Sequence, residues 1–141
     1  MATISRTKAT LRIIGDDLLP ADISASLGCM PSNGQQKGEE VKLPSGKIRV
    51  AKSGMWRIFA TEKIPGDLDL QITEISDKLT DDLGVWNTLT KKYRVDLFCG
   101  IFMERDMEGI SLSPESLLKL GERKILLDLD IYGPDDEDEN V

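Results

Sequence analysis

The sequence contains no histidine. That removes Ser-His-Asp and Cys-His catalysis, histidine-ligated zinc and haem, and the commonest general base near neutral pH. Cysteine is scarce. Cys29 and Cys99 stand far apart, too few for a thiolate metal site, and both are expected to be reduced structural thiols. No apolar run approaches the length of a membrane span, and the first eight residues hold no apolar segment of the signal-peptide kind. The expected compartment is therefore the cytoplasm, with no membrane partner. There is no excess of basic residues either. The formal charge is −7, which argues against a nucleic-acid partner.

Several ligand-binding motifs are also missing. There is no Gly-x-Gly-x-x-Gly. Gly46-Lys47 has the wrong glycine spacing for a phosphate loop, and Ile48 stands where Ser or Thr would reach magnesium. Asp128 and Asp130 lack the glycine and distal glutamate of a calcium loop. No cofactor and no metal are expected.

What is present reads as one α+β domain over residues 1–133, followed by an acidic tail at 134–141. Five of the acidic residues fall in that tail, and without them the formal charge drops from −7 to −2. Such a block repels itself and is expected to stay solvated, so truncation after Gly133 should leave folding intact.

Within the domain, two periodicities alternate. Residues 9–15 form a strand with Leu11 and Ile13 on one face, and Thr10, Arg12 and Ile14 on the other. Pro20, Ile23 and Leu27 then suit a short helix that Gly28 ends. Residues 29–47 read as a long loop, and residues 47–62 as a hairpin broken at Ser53-Gly54. Leu68, Ile72, Ile75 and Leu79 make a helical stripe, and Leu83, Trp86 and Leu89 a second one. Residues 94–104 are the strongest strand, and a turn at 105–109 leads into a short strand at Ile110-Ser-Leu112. A helix capped by Ser113 and Pro114 precedes a last strand at 124–132. One alternating face is apolar in each long strand, so the few helices should all cover that face. The expected architecture is an antiparallel or mixed sheet with two to four helices on one side, ferredoxin-like or a doubled split-βαβ. Trp56, Leu97, Leu127 and Leu129 are expected to be buried beneath Ile72, Ile75 and Leu79.

Three sets of residues are candidates for function. Asp16 and Asp17 follow the first strand in a turn. Trp56 and Arg57 belong to the residue types that dominate binding hot spots. Arg12, Asp96, Asp128 and Asp130 fall on the uncovered sheet face, among Ile14, Phe98, Phe102 and Tyr132.

The order of several short motifs adds a fourth line. Asp16-Asp17-Leu18 with Pro20, Ile23 and Leu27-Gly28, then Lys37-Gly38-Glu39, Gly54 with Trp56, Leu117, and Ile131-Tyr132 resemble the bacterial domain-of-unknown-function family four-two-seven-nine. The resemblance runs from about Thr10 to Tyr132. It implies a small cytosolic bacterial α+β protein and no particular activity, substrate or catalytic residue. It adds Lys37 and Glu39 as candidate binding residues.

The leading expectation is a non-enzymatic binding module for a protein or ligand. A specific version is an immunity-type protein that neutralises a basic toxin, because acidic partners associate fast with basic ones. The alternative is a carboxylate- or metal-dependent enzyme using Asp16, Asp17 and Glu39, with a pocket where the Asp16 turn meets the loop at 29–47.

Overall fold

The computed structural model describes residues 2–134. The chain runs β1 (Ala2–Thr3), β2 (Arg6–Gly15), α1 (Pro20–Leu27), β3 (Asn33–Gln35), β4 (Glu40–Lys42), β5 (Ile48–Val50), β6 (Gly54–Phe59), α2 (Leu68–Lys78), α3 (Leu83–Lys92), β7 (Arg94–Phe102), β8 (Glu108–Gly109), α4 (Pro114–Glu122) and β9 (Leu126–Tyr132). The acidic run beyond Pro134 lies outside the described residues.

Strand β2 is the organising element. Thr7, Ala9, Leu11 and Ile13 point inward and are buried, while Arg6, Lys8, Thr10, Arg12 and Ile14 point to the other side. It pairs antiparallel with β6 and with β7; β3 pairs antiparallel with β6, and β9 pairs parallel with β7. The five-stranded order is β3-β6-β2-β7-β9. Trp56 and Ile58 of β6 and Val95, Leu97, Cys99 and Ile101 of β7 extend the inward apolar layer. Ile23 and Leu27 of α1, Leu68, Ile72 and Ile75 of α2, Trp86 and Leu89 of α3, and Leu120 of α4 join the same cluster. All four helices thus cover one face, as the strand periodicity predicts, and each buried Leu or Ile contributes roughly 1.5–3 kcal/mol.

Polar clamps fix the helices over the sheet. Gln71 of α2 is fully buried; its Nε2 donates to the carbonyls of Thr7 and Thr61, at 2.9 and 3.0 Å. Its Oε1 accepts from the Thr7 hydroxyl at 2.8 Å. A buried amide is tolerated because every group finds a partner. Asp69 ties α2 to the start of α4, accepting from the Ser113 N–H at 3.0 Å and the Ser116 hydroxyl at 2.6 Å. The Ser116 hydrogen bond, against some desolvation, holds the Asp69 carboxyl below its ordinary value. A depressed carboxyl stabilises the fold above its unfolded pKa, and that contribution is lost as pH falls through the folded value. Asp69→Ala is therefore expected to cost about 1 kcal/mol at pH 7. The gap from wild type should shrink when denaturant unfolding is repeated below about pH 4. A gap that stays constant down to pH 3 would show that the carboxylate is not the acceptor that matters.

At one end of the sheet, Gly15 of β2 lies opposite Gly54 of β6. A Cβ on Gly54 would sit 2.6 Å from the Gly15 carbonyl oxygen and 2.8 Å from that of Leu18. Gly28 closes α1 at φ 75°, the left-handed stop expected of it.

The α+β class, the mixed sheet and the one-sided helices agree with expectation, but several details differ. β6 and β7 are parallel to each other with β2 between them, a split βαβ. The second unit, β7-α4-β9, joins adjacent strands without a split, so the order is not that of a ferredoxin-like sheet. β5 does not pair with β6. It forms a separate hairpin with β4 around the Pro44-Ser-Gly46 turn, and part of the expected loop is strand. The short strand expected at Ile110-Ser-Leu112 is instead β8 at Glu108–Gly109, inside the expected turn, and it pairs parallel with β1.

The last strand brings the largest correction. Leu127 is only half-buried, Leu129 is 39% exposed and Ile131 63% exposed. All three share the helix side, as the alternation predicts, but β9 is not an interior strand. It is an edge strand, and no further strand flanks its outer side among the described residues.

Candidate binding surface

The face of the sheet opposite the helices carries side chains in rows set by register. Asn33, Arg57, Arg12, Asp96 and Leu126 form one row across β3, β6, β2, β7 and β9. Phe59, Thr10, Phe98 and Asp128 form the next. Lys8, Gly100 and Asp130 follow, then Arg6, Phe102 and Tyr132.

Asp96 is the anchor. It is wholly buried, yet it keeps its charge partners because two arginines cover it. Arg12 donates to both carboxylate oxygens at 2.8 Å through Nε and Nη2. Arg94 donates through Nε at 3.0 Å. Asp128 lies 3.6 Å from Arg12 and 3.5 Å from Arg94. The hydrogen bond to Asp96 raises the Arg12 pKa, although burial opposes it. The Arg12 guanidinium also stacks on Phe98, 4.4 Å from the ring centre. Tyr132 stacks on Phe102 at 4.8 Å, with Arg6 on the Phe102 ring at 3.9 Å. That sandwich explains why Phe102 is buried on an uncovered face. Tyr132 also donates to Asp130 at 3.4 Å. Burial, then the Asp130 charge, push its phenol up.

The structure thus brings Arg12, Asp96, Asp128 and Asp130 onto one surface, with Arg57 in the same row. It adds Arg94, which strand alternation places on this face but which the sequence reading did not select. Trp56 is not part of it. The ring is enclosed in the core, and its Nε1 donates to the Ser24 hydroxyl at 3.1 Å, so it packs α1 against β6 on the helix side of the sheet. The remaining candidates lie around the Gly15 turn. Lys37 pairs with Asp16 at 3.3 Å, both well exposed, and Asp17 is exposed beside them. Glu39 accepts from the Gln36 N–H at 3.2 Å, closing its own loop around Gly38. No group of three or more Cys, Asp or Glu suited to a metal ion occurs among the described residues. Cys99 is buried in the core, and burial pushes its thiol up to about 12, so it is not a nucleophile at neutral pH.

The β9 edge completes the surface. Asp128 and Asp130 alternate with Leu127, Leu129 and Ile131, the acids on the open face and the apolar groups on the helix side. Helix α4 packs against β9 and leaves Leu117 and Leu118 more than half exposed. No helix among the described residues is long and apolar enough to cross a membrane.

Fold and surface together define an α+β protein in which, among the described residues, one sheet face and one long sheet edge are uncovered. The model of the family described as Domain of unknown function (DUF4279) matches residues 5–134, and the chain belongs to that family. No curated protein and no solved structure matches it.

Proposed function

We propose that this protein is a non-enzymatic binding module that receives an extended segment of a partner protein along the free edge of β9. The observation that carries the reading is the seven-residue edge strand with aspartates on one face and exposed Leu129 and Ile131 on the other. A free edge offers a row of backbone donors and acceptors, and a partner strand supplies its own. Side chains then select the partner. Residues opposite Asp128 and Asp130 are best basic, and residues opposite Leu127, Leu129 and Ile131 best apolar. The partner segment therefore alternates basic and apolar residues, in keeping with a basic protein such as the toxin of an immunity-type pair. A second copy of this chain fits poorly. Antiparallel pairing of two β9 strands centred on residues 128 to 130 sets aspartate against aspartate.

The test uses a synthetic peptide of alternating valine and lysine and one of alternating valine and glutamate, with backbone amide shifts followed by NMR. The lysine peptide should perturb and protect amides of residues 126–132, and the glutamate peptide should not. Asp128→Asn with Asp130→Asn should weaken binding roughly tenfold. Equal response to both peptides, or shifts confined to residues 135–139, would overturn the proposal.

A further inference from the structure

The cations of the open face are not all balanced. Arg12 and Arg94 share Asp96 and Asp128, and Arg6 and Lys8 share Glu62. Arg49 and Arg57 differ. Arg57 Nε donates to the Asn33 side-chain oxygen at 2.7 Å, and Arg49 Nη2 donates to the Gln35 side-chain oxygen at 3.2 Å. Asn33 and Gln35 sit two apart on β3, on one face, opposite Arg57 and Met55. Both are neutral acceptors. They orient the two guanidinium groups without neutralising them, and among the described residues neither arginine is paired with a carboxylate.

Arg57 lies directly opposite Arg12 in the β2–β6 register. Like charges so placed destabilise a strand pair unless something lies between them. The half-buried Arg57 accordingly has its pKa lowered, first by burial and then by Arg12 and Arg49. Arg12 itself turns away from Arg49 and Arg57: its Nε and Nη2 are spent on Asp96, and its guanidinium lies on Phe98 and 3.6 Å from Asp128.

We infer that Arg49 and Arg57 form a binding site for a phosphate-type oxyanion at the β3–β6 end of the open face. Planar forks match phosphate and carboxylate oxygens alike. Two guanidinium groups with no carboxylate partner, each oriented by a neutral acceptor, favour a dianion over a singly charged carboxylate. The site is remote from β9 in strand order and stands whether or not the edge takes a partner strand.

The test is titration with inorganic phosphate at constant ionic strength, following the arginine Nε–H signals of Arg49 and Arg57 by NMR. The expected result is saturable binding, weaker by roughly tenfold in Arg57→Gln and in Arg49→Gln, and unchanged in Lys91→Gln on α3. Arg49 is exposed on the β4–β5 hairpin, so its variant keeps the test open should Arg57→Gln unfold. Acetate should produce no saturation. A phosphoserine peptide and a sugar phosphate form two further arms, and the tighter of them tells a modified protein from a free metabolite as the source. Equal effects of acetate and phosphate, or phosphate binding that survives both arginine variants, would overturn the site.

Discussion

Trp56→Ala is expected to destabilise the protein by about 3–5 kcal/mol, a large fraction of the total for a domain of this size. The indole is fully enclosed, on the inward side of β6 between Ile13 of β2 and Gly34 of β3. Removing it leaves a cavity that neither strand can close, because both are held in register by their ladders. The loss also strips the Ser24 hydroxyl of its donor and loosens α1 from the sheet. Trp56→Phe, which keeps most of the volume but loses the five-membered ring with its N–H, should cost about 1–2 kcal/mol. Denaturant unfolding of the two variants measures both. A cost below about 1 kcal/mol for the alanine variant would mean that the indole is not central to the core.

The second large effect is expected at Asp96. Asp96→Ala removes the buried carboxylate that holds Arg12 and Arg94, and leaves Arg12 facing Arg57 across the β2–β6 pair. Breaking a fully buried ion pair costs about 3–5 kcal/mol. Here Arg12 is 23% and Arg94 54% exposed, so water recovers part of that. The expected loss is about 2–3 kcal/mol. It should grow smaller as salt is raised, because the unbalanced arginines are then screened. Asp128→Ala, at the edge and more than a third exposed, should cost less than 1 kcal/mol. If the Asp128 change proved the more damaging, Asp128 and not Asp96 would be the carboxylate that anchors the arginines of the open face.

The sequence revealed the faces of the strands more reliably than their neighbours. Alternation placed Leu11, Ile13, Leu97 and Cys99 inward, and Arg12, Asp96 and Phe98 outward, because a period of two depends only on local geometry. Strand order depends on long-range pairing, and nothing local in β9 marks it as an edge. Leu127 and Leu129, expected in the core, are instead half-buried and exposed. Short elements escaped for a similar reason: β3 and β4 have three residues each and carry no period to detect. Gln71 escaped because its burial rests on the Thr7 and Thr61 carbonyls, two partners brought close only by the fold. The open-face charges were legible as a set, but the sequence could not tell Asp96, buried under two arginines, from Asp130 at the exposed edge. Arg49 belongs to a hairpin whose strand pairing was misjudged, so its meeting with Gln35 could not be foreseen.

The facing glycines at the end of β2 and β6 act as an end-stop. A slip of one residue between these strands would turn every side chain over and is excluded by the core. A slip of two would keep the apolar face inward, and hydrophobic pattern alone does not forbid it. It would, however, bring Lys52 or Trp56 to the place of Gly54, where even a methyl group would collide with the Gly15 and Leu18 carbonyls. Gly54 and Trp56, two apart on one face, thus work as one device: the smallest residue sets the alignment and the largest fills the space that the alignment creates.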